Sequence, residues 1–476
     1  MGLSTDGRSA YDIAQPPVEP SSLIASVILG LSVPAVIACL FVMRPQQVAV
    51  MAALGAELFL PEVVAFRFPS VPPLHKHNLP YISLFIGCLL RYPGRVTKLP
   101  KERWVLALTA FIVVGAVITA LMNQDPLPRQ FLTPLPGLHL TDGLFAAAYN
   151  FSMTALPFYM GLSLFRTPSD LTTLLAGFSV GALLYIPFEL WEMRMSPNLH
   201  YKFFGYYQDA FADTRRWGGY RPMVFMKHGL ALARFQLIAT LAPFVFGNRV
   251  RTLLGVPSKL ARWVLATMLV LCKSTGAFFY MVMTLPLLLW PKPKRSLRVA
   301  MVIGAIVFLY PVLRLTNWFP TKDILDATNA VVGADRTQSV EFRFQNEDKL
   351  LAHAAEHPVF GWGQFGRNFT FDRYGKPAVT DGYWIIEFGE TGVVGFVAAF
   401  GLLLVPIFLC AKRLPSIQLL EDRKLIAGSG LILAIVASDL LPNGLWGLYP
   451  YFLAGALTGV TRTLALEPRR DVPVWT

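Results

Sequence analysis

Arginine, histidine and carboxylate side chains gather in three polar stretches of an otherwise apolar chain. The first runs Thr214-Arg215-Arg216-Trp217-Gly218-Gly219-Tyr220-Arg221 and continues through Lys227-His228 to Arg234. A guanidinium grips two phosphate oxygens at once, an arrangement that an ammonium cannot reproduce. Arg216 and Arg221, beside Arg215, therefore suit a di-anionic phosphate, with Lys227, His228 and Arg234 as further contacts. Lys227 and Arg234 are spaced to share one helix face, with Arg234 a turn or two inside an apolar segment. A cation at that depth is costly and marks function by default. The structural alternatives for Arg234 are snorkelling outward or pairing with a neighbouring acid such as Glu189 or Glu192.

The second stretch holds Arg343-Phe344-Gln345-Asn346-Glu347, then His357-Pro358-Val359-Phe360-Gly361-Trp362-Gly363. Leu350, Leu351, Ala354 and Ala355 recur with helical spacing and predict an amphipathic helix over Val340–Glu356. Arg343 either faces a phosphate or pairs with Glu347 one turn on, a surface contact of little worth. His353 and His357 are also a turn apart, but without a third ligand nearby they do not make a metal site. His357-Pro358 is expected to end the helix, with Gly361 and Gly363 forming a tight turn. The third stretch is Asp381-Gly382-Tyr383-Trp384, followed by Glu387 and Glu390. A carboxylate at a low-dielectric boundary can act as general base toward a hydroxyl. The plainer role for Asp381 is an N-cap on the helix that follows. Trp362, Phe365, Tyr383 and Trp384 can stack on sugar faces or pack against lipid.

These residues need a scaffold, and the composition says which. Of 476 residues, 54% are hydrophobic and 15% charged, with a mean hydropathy of +0.50. That charge content is well below the roughly 25% of soluble domains. The apolar runs are continuous and not alternating, so the expected fold is an all-α polytopic membrane protein and not a β-barrel. Segments suited to spanning lie near 23–43, 46–64, 79–91, 104–122, 142–165, 171–190, 228–246, 261–272, 275–290, 299–314, 392–411, 424–438 and 445–463. About twelve spans with both ends cytoplasmic are expected. The divisions are a tail over 1–22, a membrane bundle over 23–314, a large loop over 315–391, C-terminal helices over 392–463 and a tail over 464–476.

The net charge of +13 sits in short loops around Arg91–Arg103, Asn248–Arg262, Lys292–Arg298 and Lys412–Lys424. The positive-inside rule makes those loops cytoplasmic. The chemistry-bearing stretches then fall outside, with the turn at Lys273-Ser274, which excludes nucleic acid as partner. Cys39, Cys88, Cys272 and Cys410 all lie in apolar runs and read as packing residues. No glycine loop precedes a lysine in the phosphate-binding pattern, so an NTP-driven reaction has no support, and no cofactor is expected. The first twenty-odd residues lack the basic start and short apolar core of a cleaved signal.

The quoted stretches resemble a family: the bacterial O-antigen ligase and Wzy-type polysaccharide polymerase superfamily of inner-membrane glycosyltransferases. The likeness is best over Val340–Phe400, through Arg343, the His357–Gly363 turn and Glu390-Thr391-Gly392-Val393-Val394-Gly395. It is weaker over Arg221–Ala231 and Ser274–Ala277. The resemblance implies an undecaprenyl-pyrophosphate-linked glycan as donor, a glycan acceptor, and Arg221 and Arg343 engaging the pyrophosphate. It further implies work beside flippase and chain-length or export proteins. Family ligases carry a histidine eleven residues before the position of Gly392, where this chain has Asp381. That departure moves the expectation from ligation onto lipid A-core or protein toward polymerisation, with Asp381 as base. A flippase for the same lipid-linked sugars is the rival from another class.

Overall fold

A computed structural model describes residues 22–466 apart from 130–131, 210, 217, 372–376 and 446. Trp217, most of the N-terminal tail and residues 467–476 of the C-terminal tail lie outside the described residues. The chain is mostly helical, and each apolar run of the sequence coincides with a helical stretch. In order these are α1 (Leu23–Val42), α2 (Pro45–Phe59), α3 (Leu79–Arg91), α4 (Arg103–Met122) and α5 (Leu140–Asn150). A π-helical turn (Phe151–Ala155) leads from α5 into α6 (Leu156–Leu164), followed by α7 (Pro168–Met195) and α8 (Gly229–Phe246). Then come α9 (Ser258–Leu271), α10 (Thr275–Leu289) and α11 (Pro293–Leu315). Two loop helices, α12 (Thr321–Val332) and α13 (Ala334–Ala354), precede α14 (Tyr383–Arg413), α15 (Leu420–Asp439) and α16 (Tyr449–Leu466).

Among the described residues, six helices are long and apolar enough to cross a membrane: α1, α4, α7, α8, α11 and α14. Their burial is unequal, from 17% of the α1 window to 89% of the α8 window. The bundle thus has α8, α15 and α16 at its centre, while α1 shows Leu23, Ile24, Leu31 and Phe41 outward. In lipid such exposed apolar faces carry no penalty, and close contact comes instead from small residues. α6 and α16 show this: a Cβ at Gly455 would lie 1.9 Å from the Phe158 carbonyl oxygen.

Several boundaries differ from the sequence expectation. The helix expected over 340–356 begins earlier, at Ala334, and a second loop helix precedes it. α14 begins at Tyr383 and not at 392, so Glu387 and Glu390 lie on a helix. Their charge lowers the local hydropathy without breaking the helix. The break comes at Gly392, whose φ of 65° kinks α14. Among the described residues, four two-stranded hairpins also appear where only helices and loops were expected: β1–β2 (Ala65–Phe68, Val71–His75), β3–β4 (Leu127–Arg129, Leu132–Leu135), β5–β6 (Arg215–Arg216, Gly219–Tyr220) and β7–β8 (Thr252–Leu253, Val256–Pro257).

The loops sort to two ends. At one, Arg462 at the close of α16 meets Glu102 at 3.0 Å, and Arg249 meets Asp422 at 2.6 Å. Lys292–Arg298 lies against Leu414–Arg423 there, so all four basic loops share this end. At the other, Lys273 donates to the Arg216 carbonyl at 3.0 Å, and Arg367 donates to the carbonyls of Pro136 and Asp125. α1 runs alongside α3 in the same direction: its finish meets Tyr92, and Gly30 lies on Phe66 of β1. The described chain therefore starts at the loop end and finishes at the basic end. The twelve crossings with both ends together that were expected are not confirmed: among the described residues, six helices have the length and apolarity to cross.

Candidate active site

Two family-like segments dock on each other to build the wall of the site. The kink at Gly392 leaves backbone groups of α14 without helical partners, and the His357–Gly363 segment satisfies them. Val393 donates to the Pro358 carbonyl at 2.8 Å, and Val394 to that of Val359 at 3.1 Å. In return Trp362 and Gly363 donate to the Gly389 and Glu390 carbonyls, both at 2.9 Å. A Cβ at Gly392 would lie 2.3 Å from the Val359 carbonyl oxygen, and one at Gly361 2.5 Å from the Glu390 carbonyl carbon. Both glycines have positive φ and so meet two demands at once. Thr119 of α4 and its C-cap Asn123 donate to the Phe360 and Gly361 carbonyls respectively. The expected tight turn is therefore a plug that fixes the start of α14.

Asp381 stands just before that start. It does not cap α14: the N-cap is Gly382, with no side-chain cap hydrogen bond. Its Oδ2 lies 3.6 Å from Arg343 Nε, and the two side chains are 33% and 35% exposed. Burial pushes the Asp381 carboxyl above its usual range, and Arg343 opposes that shift. Arg343 also donates to the Pro442 carbonyl at 3.2 Å, which ties α13 to the turn after α15. Its expected surface partner is engaged elsewhere. Glu347 accepts from Trp384 Nε1 at 2.6 Å and Tyr310 at 3.0 Å, and pairs with Arg314 at 3.0 Å. Burial raises the Glu347 carboxyl despite that cation.

Arg234 reaches the same turn from inside the bundle. It is 1% exposed, its Nε lies 2.5 Å from Asp439 Oδ2, and its Nη2 donates to the Gly444 carbonyl at 2.9 Å. Snorkelling is ruled out, and the expected pairing with a neighbouring acid is present, with Asp439 in the place of Glu189 or Glu192. Glu189 accepts from Gln236, and Glu192 accepts from the backbone of Leu199, Met223 and Val224. Lys227 precedes α8, whose N-cap is His228, so it shares no helix face with Arg234.

The remaining expected residues form separate groups. Lys227 donates to the Gln208 carbonyl at 3.0 Å, and His228 Nε2 lies 3.8 Å from Asp209. Arg221 is buried, donates to the Lys273 carbonyl at 3.0 Å and lays its stem over Gly229. Arg216 joins this group through the Lys273 contact to its carbonyl. His353 and His357 both lie on the Trp362 indole, with ring centroids 4.4 and 3.9 Å away. Burial lowers the His357 pKa. Tyr383 bonds Tyr451 at 2.9 Å.

Tyr383 and Glu390 also line a cavity of about 230 Å³ with Glu387, Tyr149, Asn150 and Gln364. The π-helical turn supplies Met153 and Thr154 to its wall, so the cavity sits between two helix irregularities. Such π turns recur at functional sites.

Sequence reasoning missed Asp439, Arg314 and Arg367. Arg314 and Asp439 are charges at the end of an apolar run, a signal the sequence did carry, whereas Arg367 lies within the large loop and carried none. Arg367 holds Trp362 and the 125–136 loop together through three carbonyls. No curated protein matches the chain. Residues 260–400 match the family model described as O-antigen ligase. That span contains Arg343, His357, Trp362, Asp381, Tyr383 and Glu390, whereas Arg216, Arg221, Lys227, His228 and Arg234 lie upstream of it. Over residues 260–400 the chain is thus similar to the O-antigen ligase family, and this supports the resemblance to the O-antigen ligase and Wzy-type polysaccharide polymerase superfamily.

Proposed function

We propose that the protein polymerises lipid-linked polysaccharide repeat units on the periplasmic side of the bacterial inner membrane, by inverting, metal-independent glycosyl transfer. The basic end of the bundle is then cytoplasmic, as the positive-inside rule requires. The segment between α11 and α14 is the roof of the site.

The observation that carries this reading is the Arg343–Asp381 pair. It is loose and a third exposed, so a pyrophosphate can displace the carboxylate from the guanidinium. Asp381 then loses its cation, its proton affinity rises, and it becomes a stronger base. An acceptor hydroxyl gives its proton to Asp381 while its oxygen attacks the anomeric carbon. The bond from that carbon to the pyrophosphate breaks, and undecaprenyl pyrophosphate leaves with the electron pair. Arg343 stabilises the developing charge, while Arg221, buried against the Lys273 carbonyl, belongs to a separate group. Arg234 is fixed to Asp439 and acts by holding the turn on which Arg343 rests.

The cavity beneath Tyr383 suits an acceptor sugar. Glu387, Glu390, Asn150 and Gln364 offer hydrogen-bond partners to hydroxyls.

The test is complementation of a deletion strain with Asp381→Asn, followed by analysis of lipid-linked intermediates. A polymerase defect leaves single repeat units on the lipid outside. The family description favours a second reading, ligation onto lipid A-core or protein, and that defect leaves long lipid-linked chains. Units trapped on the cytoplasmic face would indicate a flippase and overturn both.

A further inference from the structure

The basic end carries a feature that the reaction does not use. A cleft of about 530 Å³ opens between Lys292–Arg298 and Leu414–Arg423. Lys292, Lys294, Arg295, Arg298 and Arg423 line it, and no carboxylate does. The acids nearest in sequence are engaged elsewhere: Asp422 with Arg249 at 2.6 Å, and Glu421 with Lys424 at 2.8 Å. Scattered cations would satisfy the positive-inside rule equally well. Five of them around one concavity repel each other unless an anion sits between them.

The position of the cleft identifies the anion. It lies where α11 begins, α14 ends and α15 begins, the level at which spanning helices leave the hydrocarbon. Trp290 and Leu419 beside it are 72% and 65% exposed. An exposed tryptophan at a helix end marks the membrane interface. The outer face of α11 continues the path inward with exposed Val302, Ile306 and Leu309, a surface for acyl chains. We propose that this cleft binds the headgroup of an anionic phospholipid, with the phosphate held by Arg295 and Arg298 and the chains lying along α11. Basic pockets between membrane helices take such headgroups. The proposal is independent of the reaction assigned to the opposite end.

Native mass spectrometry of the full-length protein in mixed phosphatidylglycerol and phosphatidylcholine micelles tests it. The wild type should retain phosphatidylglycerol over phosphatidylcholine. Arg295→Gln/Arg298→Gln should weaken that retention by about tenfold or more. Arg295→Lys/Arg298→Lys, which keeps the charge, should restore most of it. Lys98→Gln/Lys101→Gln removes equal charge from another basic loop and should retain the lipid as the wild type does. Equal retention of both lipids, or equal loss in the Lys98/Lys101 variant, would overturn the proposal. So would displacement of the lipid by inorganic phosphate at comparable concentration, since the site would then take free phosphate.

Discussion

One turn of chain, Asp439–Gly444, receives two arginines of opposite character. Arg234 comes from within the bundle, is 1% exposed and closes on Asp439 at 2.5 Å. Arg343 comes from the roof, is 35% exposed at its side chain, and stands 3.6 Å from Asp381 while touching the Pro442 carbonyl. The same residue types therefore make a fixed strut on one side and an exchangeable pair on the other. Removing one partner of a buried pair leaves an uncompensated charge in low dielectric. An exposed pair is held by a fraction of that energy and can be opened by a ligand. Exposure, and not residue identity, divides the fixed arginine from the exchangeable one at this turn.

That contrast can be broken at several points. Arg234→Ala should have the largest effect, about 3–5 kcal/mol of stability lost, measured as a fall in melting temperature or in folded yield. Arg343→Ala should leave the melting temperature nearly unchanged and reduce turnover by about 10²–10³-fold, measured in single-turnover transfer. A smaller effect concerns pH. Burial raises the Asp381 carboxyl and Arg343 opposes the rise, and a general base must be deprotonated, so activity falls as pH drops through that pKa. Arg343→Gln removes the opposing cation, so the acid limb of the rate profile should move to higher pH. Arg343→Lys should leave it near the wild-type position. The smallest effect is on folding: a double-mutant cycle between Arg343 and Asp381 should give a coupling of about 0–1 kcal/mol.

The helices were legible in the sequence because each apolar run must bury its backbone polar groups in lipid, and helical pairing does so locally. The start of α14 was not. A helix just after Asp381 is one reading of the sequence, but the division at 391 leaves Glu387 and Glu390 in the large loop and makes Gly392 the entry into the membrane. It is the kink into which the His357–Gly363 segment docks. Pairings between distant elements were equally hidden. Arg343 and Glu347 are well spaced for each other on a helix, yet Glu347 is captured by Arg314, Tyr310 and Trp384, which no local pattern encodes. Arg234 was correctly singled out as a buried cation, but its partner Asp439 sits at the far end of another helix. For Asp381, sequence reading left a helix cap and a base as alternatives. Gly382 at the N-cap position removes the first.

The central claim is that Asp381 is the base released when the donor engages Arg343. It is tested most directly by purified Asp381→Asn, reconstituted with lipid-linked repeat units and compared with the wild type for chain extension. The account predicts a rate lower by about 10²-fold or more, with an unchanged melting temperature. A wild-type rate of extension by Asp381→Asn would contradict it.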